Sequence, residues 1–286
     1  FPGYRNRWRQ VENVDGIRVI RVKTYIAANE GLLRRTLDYV SFMIMGFLMG
    51  LFEKRPSVVV ATSPQFFCAL GGWMLAMCKR RPFIFELRDL WPMSITAVGA
   101  MRKGLIIALF EKIELFLYRQ AAAIVPVTES FREDLIARGV DGRKIHVVLN
   151  GVDLSRYEPR DRDMDLARQT GLEGKFVAGY IGTHGMAHAL PKVLEAAELL
   201  LGRPDIAFLF AGSGAERAKV EKLVEERCLH NVRLIPRQPK ERMPALWSLC
   251  NVALVPLKDA PVFATVIPSK IFESMGMGVP VLMSTP

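Results

Sequence analysis

The sequence is poor in the residues that build disulfides and metal sites. Its 286 residues include four cysteines and four histidines. The cysteines, none of them in a C-x-x-C pair, are Cys68, Cys78, Cys228 and Cys250. Their apolar surroundings are typical of buried, reduced thiols in a cytoplasmic protein. His184 and His188 have the spacing of a helical metal pair, but Gly185 disfavours a helix and no carboxylate is nearby. The sequence therefore argues against a metal cofactor.

Three further signatures are missing. The pair Gly212-Ser213-Gly214 lacks the third glycine and the acidic partner of a dinucleotide fingerprint, which argues against a dehydrogenase. The apolar run that ends the helical pattern of Leu32 to Phe52 is too short to span a bilayer comfortably, and it favours a buried or an interfacial helix. No DNA- or RNA-binding module is recognisable, and aromatic residues do not alternate with basic ones, which argues against nucleic acid as a partner.

Positive charge is concentrated in the first half of the chain. The net charge is +10, and residues 1–120 carry 18 Lys and Arg against 9 Asp and Glu, whereas residues 121–286 carry 21 against 20. A basic half fits an anionic membrane surface or a phosphorylated substrate. We therefore predict peripheral contact with an anionic membrane.

Short apolar runs alternate with helical patterns along the chain, which predicts an α/β fold with parallel sheets. Strands are predicted in the first half at Arg18 to Tyr25, Ser57 to Thr62, Pro82 to Leu87, Ala121 to Val127 and Ile145 to Leu149. A second series is predicted at Phe176 to Ile181, Ile206 to Ala211, Val232 to Ile235 and Val252 to Pro256. Between the two series, residues 156–175 are charged and poor in apolar side chains, as expected of a linker. We predict two domains, residues 1–155 and residues 156–286.

The stretch from Val255 to Pro286 has the pattern of a strand, a long loop, a helix and a second strand. Pro268 and Ser269 signal the start of the helix. A helix N-terminus with Lys270 beside it suits a phosphate, and Glu273, one turn on, suits a ribose diol. Ser269, Lys270 and Glu273 therefore predict a nucleotide diphosphate site, with a capped surface helix as the structural alternative.

A second charged group follows the strand that ends at Leu87. Glu86, Arg88 and Asp89 precede the corner Trp91-Pro92, a combination that packing alone explains poorly. The alternative is a salt-bridged loop, since ion pairs also have purely structural uses.

The segment PSKIFESMGMGVPVL resembles the donor-binding segment of the retaining glycosyltransferases of family 4. Their GT-B fold has two Rossmann-like domains facing each other across a cleft. The resemblance implies that Glu273 binds the ribose and that Arg88 and Asp89, in the matching segment RDLWP, face the donor sugar. Thr265 stands where the family usually has a second carboxylate, so the pair of glutamates is incomplete. The passage from Ala121 to Pro159 is similar to the family's passage into the hinge.

The same resemblance assigns further residues of the second domain. The loop Gly182-Thr183-His184-Gly185 would approach the diphosphate, because glycine leaves backbone N–H groups accessible. Thr183 and His188 stand where many members have an Arg and a Lys, which shifts the neutralising role to Lys270. Arg237 would contact the nucleotide base. Family members continue beyond both ends of this sequence, so we expect a chain that is incomplete at both termini.

These observations predict a retaining glycosyltransferase of the hexosyl or N-acetylhexosaminyl type. Its donor would be a nucleotide-sugar, with a UDP-sugar favoured, and its acceptor a lipid-linked saccharide on the cytoplasmic face of a bacterial inner membrane. Lys270, Arg88 and Asp89 would be catalytic, and no metal or other cofactor would be required. The alternatives are a non-catalytic membrane-associated scaffold, a decayed transferase and a UDP-sugar 2-epimerase.

Overall fold

The chain forms two compact units. The computed structural model describes residues 4–26, 32–97, 99 and 104–285. Packing of the backbone divides the chain into Phe1–Leu149 and Asn150–Pro286, and each unit has its own parallel sheet. Both units therefore have the α/β architecture that the alternating pattern predicts.

The first unit has a three-stranded parallel sheet in the order β3-β4-β5 and a separate antiparallel hairpin, β1-β2. Its elements are β1 (Arg9–Val14), β2 (Ile17–Val22), α1 (Leu32–Leu51), β3 (Val59–Thr62), α2 (Phe66–Lys79), β4 (Phe83–Leu87), α3 (Met93–Ala97), α4 (Leu105–Gln120), β5 (Ala123–Pro126) and α5 (Glu129–Ala137). Within the described part of the chain, no helix is both long and apolar enough to cross a membrane.

The second unit has a five-stranded parallel sheet in the order β10-β9-β6-β7-β8. Its elements are α6 (Met164–Thr170), β6 (Phe176–Ile181), α7 (Leu190–Leu199), β7 (Ile206–Ala211), α8 (Arg217–Glu226), β8 (Val232–Ile235), α9 (Met243–Ser248), β9 (Val252–Pro256), α10 (Lys270–Gly276) and β10 (Val281–Ser284). The chain runs outward from β6 to β8 and then returns to β9 on the other side of β6, which makes the boundary between β6 and β9 a topological switch point.

The sheet of the second unit is buried on both faces. Along β7, Leu209 packs into a cluster with Trp247 and Leu172, whereas Phe208 and Phe210 pack into a cluster with Leu194 on the opposite face. Burial on both faces explains why the strand is a continuous apolar run instead of an alternating one.

Three local features differ from the sequence prediction. β2 is paired with β1 through a two-residue turn, in which Asp15 and Gly16 have φ of +52° and +83°. Asp-Gly favours such turns because both residues tolerate positive φ. The segment Ser130-Phe131-Arg132-Glu133 predicts a capping box that opens helix α5. The helix is capped instead by Thr128, whose hydroxyl accepts from Phe131 N–H at 3.1 Å. The predicted strand at 145–149 is reduced to one bridge to Ile124.

The segment predicted as a linker is part of the second unit. Tyr157, Ala167 and Leu172 are buried in the same core cluster as Trp247. Asp163 caps α6 by accepting from Leu166 N–H at 2.9 Å. The low apolar content was misleading because three buried apolar side chains are enough to attach the segment to the core, although Met164 is exposed.

Candidate active site

Apart from Arg237, the predicted site residues of the second unit lie in the two loops and the helix start at the switch point. The loop after β6 begins at Gly182, and the loop after β9 leads to Lys270 at the start of α10. β6 and β9 are neighbours in the sheet, with Ala178 opposite Val252. Their carboxyl ends therefore open at the same edge, which is where open α/β sheets bind ligands.

Lys270 is a buried amine without a partner. Its residue is 7% exposed, and Nζ makes no hydrogen bond among the described residues. Nζ lies 3.7 Å from the centre of the Tyr180 ring, a cation–π contact from β6. Burial lowers the pKa of Lys270 to about 7, although the charge of Glu273 opposes this shift. An ammonium held by an aromatic face alone has poor compensation for its lost hydration, so an anion would stabilise it.

The loop after β6 is shaped around this amine. Gly182 has φ of +148°, and a Cβ added there would lie 3.2 Å from Lys270 Nζ. Gly212 has φ of +149°, and a Cβ added there would lie 1.9 Å from the carbonyl oxygen of Gly182. Gly212 thus permits backbone contact between the loops after β6 and β7, and these loops are joined by a bond from His184 N–H to Ser213 O of 3.0 Å. The weak glycine pair of the sequence therefore has a packing role.

The two histidines of this loop are neutral and pack around Tyr180. The ring centres of His184 and His188 each lie 5.7 Å from that of Tyr180. Burial, together with the positive charge of Lys270, lowers the pKa of both to about 4; Arg217 adds to the effect on His184. Both nitrogens of His184 and Nδ1 of His188 have no hydrogen-bond partner among the described residues. Within the same residues, no group of three His, Cys, Asp or Glu side chains is arranged to hold a metal ion.

Glu273 lies one turn from Lys270 on α10, but the two charges do not pair. No ion pair within 4.0 Å joins them. Glu273 Oε2 instead accepts from Trp247 Nε1 at 3.2 Å. Burial, then the charge of Glu273 and hydrogen bonding to its carboxylate, raise the pKa of Tyr157 to about 12. The Lys270 amine and the Glu273 carboxylate thus contact neutral aromatic side chains, and neither forms an ion pair among the described residues.

The remaining predicted residues contribute less to the local geometry. Ser269 is exposed and makes no capping bond, and the first amides of α10 are already used, because Ile271 N–H donates to Pro268 O at 3.0 Å. Thr265 Oγ1 donates to Val262 O at 2.7 Å and so closes its own 3₁₀ turn. Thr183 and Arg237 are exposed in the loops after β6 and β8, while Gly185 is half-buried. The helix start is therefore less open to a phosphate than the sequence suggests.

In the first unit, the loop after β4 holds Asp89 half-buried and exposes Arg88. No ion pair joins the two side chains among those of the described residues, so the salt-bridged alternative is not what holds this loop. Ser94 Oγ donates to Asp89 Oδ2 at 3.0 Å, and Arg88 N–H donates to the buried Ser63 Oγ at 3.1 Å. Burial raises the pKa of Asp89, opposed by the hydrogen bonds from Ser94 and from the backbone of Leu90.

Aromatic packing anchors the same loop. The Trp91 ring stacks on Phe66 of α2 with centres 4.8 Å apart and lies 4.9 Å from Phe110 of α4. These contacts fix the loop on two helices, while the Asp89 carboxylate is held by hydroxyl and amide groups. The loop is thus anchored at the carboxyl edge of the sheet, and it carries one carboxylate and a guanidinium that forms no ion pair among the described residues.

A cavity of about 790 Å³ lies elsewhere in the second unit. It is lined mainly by apolar side chains of β6, β7, β9 and α7, including Phe176, Phe208 and Leu254. None of the predicted site residues lines it. The cavity and the charged residues of α10 therefore mark different places in the second unit. We take the buried amine and the carboxylate on α10, which forms no ion pair among the described residues, as the candidate site, because the cavity is mainly apolar and lacks this chemistry.

Sequence reasoning missed three residues of this arrangement: Tyr180, Trp247 and Tyr157. Tyr180 sits in an apolar strand pattern and Trp247 in a short helical one, so both are predicted as core and nothing in the pattern marks their contacts with Lys270 and Glu273. Tyr157 falls in the charged stretch that the sequence predicts to be a linker.

Comparisons with known proteins identify the family of this chain. Residues 1–151 match the family described as glycosyl transferase 4-like domain, and residues 163–285 match glycosyl transferases group 1. The chain is 26% identical to the putative colanic acid biosynthesis glycosyl transferase WcaI of Escherichia coli K12 over 97% of its own length and 72% of WcaI. It is 27% identical to the putative teichuronic acid biosynthesis glycosyltransferase TuaH of Bacillus subtilis 168 over 70% of its own length, and it spans about half, 49%, of TuaH.

The fold is shared with solved structures. Anabaena HepE, crystallised with UDP and glucose, superposes with a TM-score of 0.66 at 16% identity, over 88% of this chain and 64% of HepE. At this identity the likeness shows the fold, which is the GT-B fold of two Rossmann-like domains. The chain therefore belongs to the glycosyltransferases of the family 4 type, with a glycosyl transferase 4-like first domain and a group 1 second domain on a GT-B fold.

Proposed function

We propose that this protein transfers a sugar, with retention, from a UDP-sugar to a lipid-linked saccharide during synthesis of a bacterial cell-surface polysaccharide. The observation that carries the proposal is the buried, unpartnered amine of Lys270 at the switch point, one turn from the uncancelled carboxylate of Glu273. A nucleotide diphosphate complements both charges, since its phosphates are anionic and its ribose offers two hydroxyl donors.

The chemistry follows from the charge that develops during transfer. Departure of the nucleoside diphosphate leaves negative charge on its phosphate and positive charge on the sugar ring. Lys270, charged once an anion is beside it, stabilises the leaving phosphate, and Glu273 holds the ribose. Preorganised charge in a water-poor site contributes most to catalysis of this kind, so the transfer needs no metal.

The other predicted residues take supporting roles in the proposal. In the proposal, the amides of Thr183 and Gly185 approach the phosphates, while Gly182, whose own N–H donates to Ala211 O at 2.9 Å, leaves room for the Lys270 amine. Ser269 and Thr265 belong to the loop after β9, and Arg237 contacts the base. Arg88 and Asp89 position the donor sugar or the acceptor. Their anchored loop suits this role, because reaction rates fall steeply when reacting groups are misplaced.

Three findings support the donor and acceptor classes. HepE has been crystallised with UDP and glucose, and WcaI and TuaH carry names from colanic acid and teichuronic acid biosynthesis. The basic first 120 residues suit an anionic lipid surface. We therefore place the reaction at the cytoplasmic face of the inner membrane, with peripheral contact to lipid.

The direct test is the melting temperature of the full-length protein with UDP, GDP, ADP and their common sugars. We expect a selective rise with UDP and one UDP-sugar, and loss of that rise in Glu273→Ala. A folded sample that responds to none of these ligands would overturn the proposal and favour a non-catalytic scaffold. With the selected sugar, the anomeric configuration of the product, read by NMR, reports retention; inversion would contradict the mechanism.

A further inference from the structure

The carboxylate of Glu273 is held in one orientation by a residue of another helix. Trp247 lies in α9, is fully buried, and donates from Nε1 to Glu273 Oε2 at 3.2 Å. Its ring packs in the core cluster that also contains Leu172 and Met277. Because the indole is packed in this core, its N–H restrains the position of Oε2 and so limits the rotamers of the carboxylate.

Tyr157 approaches the same carboxylate from the start of the second unit. Its residue is 7% exposed, and the Glu273 carboxylate lies close enough to help raise the pKa of the Tyr157 hydroxyl to about 12. A Cβ added at Gly276 would lie 3.0 Å from the Tyr157 carbonyl oxygen, so the backbone at Gly276 packs directly against Tyr157. Two neutral aromatic donor groups anchored in one core thus lie beside Glu273, and Trp247 makes the hydrogen bond to it.

These donors orient the carboxylate without neutralising it. An indole N–H and a phenol O–H carry no charge, and no cation forms an ion pair with Glu273 among the described residues. A carboxylate has room for about four hydrogen bonds, so acceptor capacity remains for a ligand. If the bond only satisfied the buried Trp247 N–H, a neutral oxygen acceptor would be enough. A half-buried carboxylate is not needed for that purpose.

We propose that Trp247, assisted by Tyr157, is a positioning residue of the donor site that aims the Glu273 carboxylate at the ribose diol. The inference rests on the proposed function and names the residues that set selectivity for a ribonucleotide. Without the Nε1 bond, the carboxylate samples other rotamers and must be reordered when the ribose binds, and that reordering reduces affinity.

The test compares two ligands, UDP and its 2′,3′-dideoxy analogue, on the full-length protein by calorimetry. For the unmodified protein we expect UDP to bind at least about tenfold more tightly, as for a lost hydrogen bond to a charged group. Trp247→Phe removes the N–H and keeps a ring, and we expect it to reduce this preference about threefold to tenfold. Tyr157→Phe should reduce the preference by a smaller factor.

Comparing two ligands distinguishes a positioning role of Trp247 from a general packing defect caused by the substitution. A packing defect in Trp247→Phe lowers the affinity for both ligands equally and leaves their ratio unchanged, and that result would overturn the inference. Trp73→Phe is the matched control, because Trp73 Nε1 is buried without a hydrogen-bond partner among the described residues. It should leave the ratio unchanged.

Glu273→Gln distinguishes failure of the inference from failure of the proposed function. If Glu273→Gln leaves the preference for the diol intact, the ribose role of Glu273 is wrong and the positioning role falls with it. If Glu273→Gln abolishes the preference while Trp247→Phe and Tyr157→Phe retain it, the donor site stands and the positioning role alone is refuted.

Discussion

Among the described residues, each unit buries one side chain of the Asp, Glu, Lys and Arg types, and the two have opposite surroundings. Glu114, on α4 of the first unit, is 2% exposed and accepts from Tyr118 Oη at 2.7 Å and from Arg138 Nη2 at 2.6 Å. Lys270, in the second unit, is 7% exposed and has no hydrogen-bond partner among the described residues. We infer that a buried charge with its own counter-ion is part of the structure, whereas one without it is prepared for a ligand.

The largest expected effect is the loss of stability caused by Arg138→Met in the first unit. It leaves Glu114 as a buried carboxylate without its cation, and burial already raises the pKa of Glu114 against the pull of Arg138. We expect a loss of about 3–5 kcal/mol in the free energy of unfolding, measured by chemical denaturation.

The matched control is Arg143→Met, because the Arg143 side chain is 91% exposed and pairs with Asp141 at the surface. It should cost less than about 1 kcal/mol. UDP affinity of the folded Arg138→Met protein should be unchanged. A loss of UDP affinity would mean that Glu114 and Arg138 contribute to ligand binding, which would contradict the purely structural role assigned to them.

The corresponding change in the second unit is Lys270→Met. Removing a buried amine that has no partner should raise the melting temperature of the unliganded protein. Loss of the phosphate-stabilising charge should lower kcat/KM by about 10²–10³-fold.

Lys192→Met serves as the control, since Lys192 is 75% exposed and pairs with Glu195 on the surface. A Lys270→Met protein that melts at a lower temperature and keeps its transferase activity would show that Lys270 is structural.

Asp89→Asn tests the carboxylate of the first unit. Burial raises its pKa above the usual 3.8, so ionisation at neutral pH destabilises the folded state, in which the carboxylate is poorly solvated. Asn should therefore raise the melting temperature at neutral pH, and the gain should vanish below the unfolded pKa, where Asp89 is protonated in both states. We expect activity to fall about tenfold to a hundredfold if the carboxylate positions a substrate.

The measurement is a series of melting curves between acidic and neutral pH, with activity assayed at neutral pH. A lower melting temperature for Asp89→Asn at neutral pH would contradict the sign derived from burial. Unchanged activity would remove Asp89 from the site.

The smallest effect is expected for Arg237→Gln. Arg237 is exposed in the loop after β8 and forms no ion pair among the described residues, so it starts from a fully hydrated state. We expect a change in UDP affinity of no more than about threefold, as is typical of a surface charge. A hundredfold loss in calorimetry would place Arg237 in the core of the site.

Much of the fold was readable from the sequence. The strands of the second unit at 176–181, 206–211, 232–235 and 252–256 coincide with the predicted runs, because buried parallel strands are uniformly apolar and are bounded by polar loops. Local hydrogen bonds were less predictable. Thr128 and Ser130 are both good caps, and only the path of the backbone decides that Thr128 takes this role.

Part of the candidate site could be predicted from the sequence. Lys270 and Glu273 stand out because their types, spacing and position at a helix start suit a nucleotide, and their binding roles stay predictions. Their surroundings were not found, since Tyr180 and Trp247 are distant in sequence and look like ordinary core residues. Contacts across a sheet edge leave no periodic trace in a single sequence, so the isolation of the two charges from each other is visible only in the structure.

The phosphate-binding role of the Lys270 amine can be tested by counting protons when UDP binds. Near pH 8 the phosphates of UDP are fully ionised, because the last phosphate pKa is about 6. At that pH an amine whose pKa burial has lowered to about 7 is mostly neutral, and it must take up a proton as the diphosphate arrives.

Calorimetry of the full-length protein in buffers of different ionisation enthalpy measures this uptake. We predict close to one proton per UDP at about pH 8, an affinity that falls as the pH rises further, and no uptake in Lys270→Arg, whose guanidinium stays charged. UDP binding with no proton uptake by the unmodified protein, or with the same uptake in Lys270→Arg, would contradict a phosphate-binding role for this amine.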